Sequence, residues 1–138
     1  MKIIIAAVGK IKNEGLSELA EDYFKRFNKH YPSQVVELKT VEDVLSYIKT
    51  GDILVACDET GKQFSSIEFA GWLSISLSKY KRIVFLIGGA DGIGKLRTKA
   101  GLLFSFSKMT FQHDIARVVL LEQLYRAVSI IKGEPYHR

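Results

Sequence analysis

Arg82-Ile83-Val84-Phe85-Leu86-Ile87-Gly88-Gly89-Ala90-Asp91-Gly92-Ile93-Gly94 is the stretch on which the fold turns. Its first six residues are β-branched, aromatic or apolar after the arginine, and read as a buried strand. The glycines that follow predict a tight strand-to-helix connection, and the double glycine favours close approach of the backbone to a ligand. A short helix is expected from about Lys95. Strand, glycine turn, helix is the repeating unit of a parallel α/β sheet, and ligands in such sheets sit beyond the carboxyl ends of the strands.

The same alternation runs outward in both directions. Upstream, Lys2 to Val8 is an apolar run suited to a first strand rather than a secretory signal. Leu16, Leu19, Ala20, Tyr23, Phe24 and Phe27 fall at helical spacing. Gln34 to Leu38 and Asp52 to Cys57 read as further strands, with a short helix from Glu42 to Lys49 between them. Asp58-Glu59-Thr60-Gly61-Lys62 reads as a loop, and Ser65 with Glu68 as a capping box opening a helix through Ser78. Downstream, Leu102 to Phe106 is a candidate fifth strand, and a long helix is expected from Asp114 to Lys132. Gly133 is placed to end it, and Pro135 prevents its continuation. The expected architecture is α/β, a mostly parallel sheet with helices on both faces. One domain, 1–138, fits the length.

Composition narrows the class. Apolar residues make up 47% of the 138, too many for a disordered chain. No apolar run is long enough for a transmembrane helix. Cys57 is the single cysteine, and no Cys/His cluster has zinc spacing, so the default expectation is a cytoplasmic protein without metal. A net charge of +5 permits a polyanion partner such as RNA, but Lys and Arg are spread along the chain, as on solvated helix faces.

Gly89 to Lys95 spells G-x-x-x-x-G-K, close to a phosphate-binding loop. Leu96 stands where a magnesium-binding hydroxyl is needed, and Asp91 brings a negative charge into the cradle. Leu103 to Phe111 places Ser105, Ser107 and Thr110 among Phe104, Phe106, Met109 and Phe111. It reads equally as a packed strand and loop or as an apolar slot for a purine ring. Asp114 is most simply a helix-start residue, and Glu122 with Arg126 a pair four apart. Arg117 and Arg126 are also candidates for a dimer or RNA-phosphate contact, and Trp72 for core or interface. Tyr136-His137-Arg138 sets an aromatic, an imidazole and a guanidinium directly after a helix stop. Such groups stack on a base, move a proton and hold a phosphate.

Phe85 to Gly89 with Gly92, Leu103 to Phe111 with His113 and Arg117, Leu121 to Ala127, and Tyr136-His137-Arg138 together resemble SPOUT-class methyltransferases of the ribosomal RNA large subunit methyltransferase H type. The resemblance runs from Lys2 to the last residue. It implies a C-terminal trefoil knot and a homodimer. It implies methylation of N3 of a pseudouridine in large-subunit (23S) rRNA, with S-adenosylmethionine as methyl donor. Better activity is expected on assembled ribosomes than on naked rRNA. By matching position the donor contacts are Cys57, Gly88, Phe106, Ser107, Lys108, Met109, Thr110 and Phe111. The catalytic set is Tyr136, His137 and Arg138, with His137 the first candidate for the base and His113 the second. Gln112 stands where the family usually has proline, Cys57 where leucine is common, and the region around Thr40 is shorter than in many relatives. The competing readings are a magnesium-dependent nucleotide binder and a non-catalytic ribosome-binding protein.

Overall fold

The computed structural model describes residues 2–137. Five strands, β1 (Ile3–Val8), β2 (Ser33–Leu38), β3 (Ile53–Gln63), β4 (Ile83–Ile87) and β5 (Leu102–Ser105), alternate with three α-helices. The helices are α1 (Glu14–His30), α2 (Ser66–Lys79) and α3 (His113–Lys132). Two 3-10 turns, Val41–Tyr47 and Gly94–Thr98, complete the order. The strands pair in the order β2-β1-β4-β3-β5, every neighbour parallel.

Side chains alternate across each strand, so one sheet feeds two cores. Ile3, Ile5, Val55, Phe85 and Ile87 pack with Phe27 of α1, Phe69 and Leu73 of α2, and Leu120 and Leu124 of α3. Ile4, Ala6, Leu54, Val84 and Leu86 pack on the other face against Val44 and Leu96 of the two 3-10 turns. Both faces are therefore covered, but unequally: all three α-helices lie on one side. Val41–Tyr47 and Gly94–Thr98 span only seven and five residues, too short to bury more than an anchoring side chain or two.

The local signals around the helices hold. Asn13 caps α1 through Leu16 N, and the Ser65–Glu68 capping box has both of its bonds. Gly133 ends α3 in the left-handed region at φ 71°. Most strand boundaries moved by a single residue, as where β5 ends at Ser105 rather than Phe106, and the large change follows Cys57. Asp58 to Lys62, expected as a loop, belongs to β3, which runs on to Gln63. Cys57 and Lys62 both partner Phe104, so 58–61 leave and rejoin the β5 edge. Gly61 makes this possible. A Cβ there would lie 2.5 Å from the Leu103 carbonyl carbon, so only glycine lets the two backbones pass.

Candidate functional site

The carboxyl ends of β4 and β5, with β3 where it leaves the β5 edge after Cys57, open into a cavity of about 640 Å³. Cys57 to Glu59, Gly88 to Gly94 and Phe106 to His113, apart from Lys108, supply most of its lining. These are the loops expected to carry a ligand, brought together because their strands are neighbours in the sheet.

The glycine turn is fixed by its own backbone. A Cβ on Gly88 would lie 2.5 Å from the carbonyl carbon and oxygen of Gly92, and Gly92 N donates to Gly89 O at 3.0 Å. Gly92 and Gly94 have φ values of 74° and 52°, which side-chain-bearing residues rarely adopt. The close approach expected for the paired glycines is thus to the chain itself. It leaves the turn's outer surface as pocket wall. The phosphate-loop reading fails at the same place. Leu96 is 1% exposed in the core, and the turn holding Lys95 is a five-residue 3-10 segment, not a helix start that gathers N–H groups on an anion.

The stretch that sequence left open between core and slot is both, divided at Phe106. Phe104 and Ser105 are buried. Phe104 stacks on Phe69 with centroids 4.9 Å apart. Phe106 turns edge-on to Phe104 at 5.1 Å and stacks on Phe111 at 6.2 Å, so the core continues into the cavity wall. Beyond it, Met109 is 76% exposed and Phe111 37%. The loop braces itself: Ser105 Oγ donates to Ser107 O at 2.7 Å, and Met109 N donates to Ser107 Oγ at 3.0 Å.

Charge gathers on the cavity's rim. Arg97 Nη1 donates to Asp58 Oδ2 at 2.8 Å and to Thr60 Oγ1 at 2.5 Å, tying the second 3-10 turn to the β3 excursion. Sequence gives no signal for this bridge, whose partners are 39 residues apart. On the floor, desolvation with help from Asp58 pushes the Cys57 thiol up to about 12, so it stays protonated and inert near neutral pH. Among the described residues no group of three His, Cys, Asp or Glu side chains is placed to hold a metal ion. None of their helices is long and apolar enough to cross a membrane.

Helix α3 begins on the cavity. Gln112 is its N-cap, and its Oε1 accepts from Asp114 N at 2.9 Å and Ile115 N at 3.1 Å. Its φ of −60° is also proline's, so this position accommodates either residue. The side chain replaces the rigidity of a proline with two capping bonds. His113 lines the cavity, and Asp114 turns inward. One turn on, Arg117 is 5% exposed, donating to Glu37 Oε2 at 2.9 Å and to Gly9 O at 2.7 Å. It ties α3 to the ends of β1 and β2, and the phosphate-contact alternative falls away because the guanidinium is internal. Arg126 pairs with Glu122 at 2.8 Å, as the four-residue spacing predicts.

The tail lies elsewhere. Tyr136 and His137 do not line the cavity. Tyr136 Oη is 2.8 Å from Glu122 Oε2, to which it donates, and 3.1 Å from Tyr23 Oη. Its ring meets Tyr125 edge-on at 4.7 Å, and the Arg126 guanidinium lies 4.8 Å from its centroid. Desolvation, then the bonds to Tyr23 and Glu122, push the Tyr136 hydroxyl upward, so it remains a proton donor at neutral pH. His137 Nδ1 is 3.1 Å from Arg126 Nη1. Arginine only donates, so Nδ1 accepts and the ring's proton sits on Nε2. Glu122 and Arg126 lie roughly 14 and 20 Å along α3 from His113, by the rise of an α-helix. Tyr23, which joins this cluster from α1, was legible only as part of an amphipathic face. Arg138 lies outside the described residues.

Comparison with known proteins gives a consistent answer. The family model described as a predicted SPOUT methyltransferase matches residues 1–137. A protein of Clostridium beijerinckii named ribosomal RNA large subunit methyltransferase H is 39% identical, covering 100% of both chains. One of the same name from Coprothermobacter proteolyticus is 40% identical, again over 100% of both. Another from Prochlorococcus marinus is 40% identical over 97% of this chain and 94% of its own. Among solved structures, the SpoU methyltransferase AviRb from Streptomyces viridochromogenes, in complex with AdoMet, superposes with a TM-score of 0.53. At 13% identity it shares the fold, over 96% of this chain and 58% of its own.

Proposed function

The chain belongs to the SPOUT methyltransferase family, and from that premise we propose that it methylates large-subunit ribosomal RNA with S-adenosylmethionine as donor. The target is N3 of a pseudouridine in 23S rRNA, presented on the assembled ribosome in the cytoplasm. The observation that carries this reading is the 640 Å³ cavity at the strand ends. Its walls combine half-buried Phe106 and exposed Met109 and Phe111 with the backbone of Gly88 to Gly92. An adenosine moiety needs that pairing of an apolar slot with backbone groups.

Cys57, Gly88 and Phe106 to Phe111 are the residues that would hold the donor, with Lys108, outside the cavity lining, contributing through its backbone. The donor supplies a methyl group already activated on a sulfonium. The protein's task is then positioning, which contributes on the order of several kcal/mol. Tyr136, His137 and Arg138 meet the substrate nucleotide. Tyr136 enters through its ring or, on release from Glu122, through its hydroxyl, His137 presents Nε2–H, and Arg138 holds a phosphate.

Donor pocket and tail are too far apart along α3 for one chain to unite them over a single methyl transfer. This supports a homodimer in which the tail of one copy completes the pocket of the other. The 138 residues act as one folded unit with a C-terminal trefoil knot. The knot is carried by the family likeness over residues 1–137.

The test is methylation of ribosomal particles and of naked rRNA from cells lacking the modification, with mass spectrometry locating the methyl group. Transfer to one uridine-derived base, faster on particles, is expected. Donor binding without transfer to either RNA would overturn the substrate, and equal rates on both would overturn the preference for ribosomes.

A further inference from the structure

Two histidines compete for the proton that a ring N–H must lose, and sequence ranks His137 first. The geometry points the other way: we propose that His113 is the proton acceptor and Asp114 its positioning residue. This rests on the methyltransferase reading and assigns a group that reading leaves open.

Three observations carry it. First, His137 spends its Nδ1 lone pair on Arg126, so its remaining nitrogen carries the hydrogen and cannot accept another. Second, the His113 ring is one-third exposed and lines the donor cavity at the start of α3. Third, Asp114 is 9% exposed, and its Oδ1 is buried without a hydrogen-bond partner. That oxygen is 3.6 Å from His113 Nε2. Leaving a buried carboxylate oxygen unpaired is costly, and a small rotation of the imidazole pairs it. The paired form puts the hydrogen on Nε2 and frees Nδ1 as the acceptor, the way a carboxylate fixes a histidine tautomer in other active sites.

Charged groups on the surrounding elements agree with this role. Asp58 and Glu59 beside Cys57 and Asp91 in the glycine turn add negative charge to the wall of the same cavity. Arg97 opposes it but is bonded to Asp58, and Arg117, one turn along α3, is bonded to Glu37. In the step, the base nitrogen's N–H proton passes to His113 Nδ1. The nitrogen's electron pair forms the new N–C bond, and the C–S pair leaves with the sulfur, giving a neutral thioether. Solvent then takes the proton from the imidazolium.

The experiment has three arms, applied to wild type, His113→Gln, Asp114→Asn and His137→Gln. Turnover on unmethylated ribosomes is followed against pH, donor affinity by calorimetry, and the tautomer of His113 by ¹⁵N-resolved NMR. For His113→Gln we expect turnover to fall by about 100-fold or more with donor affinity within about 3-fold, the usual size of a lost general base. Asp114→Asn is expected to retain donor binding, to mix the two His113 tautomers, and to move the acid limb of the pH–rate profile to lower pH. His137→Gln should lose less turnover than His113→Gln. Wild-type turnover in His113→Gln overturns the proposal. So does an unchanged tautomer and pH profile in Asp114→Asn. A wild-type protein that binds no donor would instead overturn the methyltransferase reading itself. Thermal unfolding of each variant separates lost chemistry from lost folding.

Discussion

The strand-end cavity and the tail cluster are opposites in construction. The cavity is open and walled by exposed Met109 and Phe111, and behind its His113 wall, 3.6 Å from that ring's Nε2, lies a buried carboxylate oxygen of Asp114 with no hydrogen-bond partner. The tail is closed, with Tyr136, Glu122, Tyr23, Arg126 and His137 bonded to one another. An open apolar surface with unsatisfied polar groups is built to receive a molecule. A satisfied polar network is built to hold its own side chains at fixed angles. In the proposed function the first region binds the donor and the second presents groups to the substrate.

The largest way to break this contrast is at the turn. Gly88→Val drives a side chain into the Gly92 backbone. It should cost about 3 kcal/mol of stability by overpacking and abolish donor binding, read by urea unfolding and calorimetry. Phe111→Ala removes one wall of the slot without entering the core. Donor affinity should fall by roughly 10- to 100-fold, the range for losing an aromatic platform, while the melting temperature holds.

A bridge in neither region calibrates the scale. Asp52 accepts from Arg82 at 2.7 Å and from Lys49 N at 2.8 Å. Desolvation works upward on its carboxyl, but those bonds outweigh it and hold it below the usual carboxylate range. Its contribution, about 1–2 kcal/mol, is present above roughly pH 4 and lost as pH falls through the lowered native value. Urea unfolding at pH 7 and pH 3 should show the loss in wild type and a smaller one in Asp52→Asn. Tyr136→Phe is the smallest change. It should cost about 1 kcal/mol and leave donor affinity unchanged, yet lower turnover on ribosomes. If it weakened the donor instead, the two regions would be one.

What sequence conveyed depended on distance along the chain. Ser65 with Glu68, Gly133 after Lys132, and Glu122 with Arg126 are local, and each appears as read. The alternation of strands and helices gave a parallel sheet. It did not give the placement of all three α-helices on one face, because a 3-10 turn and a short helix look alike in apolar spacing. Asp58 to Lys62 has loop chemistry, yet Gly61 lets it run against β5, a contact made only in three dimensions. The cavity's three segments could each be named. That Lys108 stays out of its lining and that the tail sits far along α3 required the fold. Arg117 read as a surface cation because nothing near it in sequence announces Gly9 and Glu37.

The most direct measurement is calorimetric titration of S-adenosylmethionine, with ATP as comparison and without magnesium, into wild type and a Tyr136→Ala/His137→Ala variant. We expect the donor to bind both proteins with affinities within about tenfold, roughly 1.4 kcal/mol, and ATP to bind neither. Preference for ATP, or loss of donor binding in the tail variant alone, would contradict the division between a pocket that binds and a tail that presents.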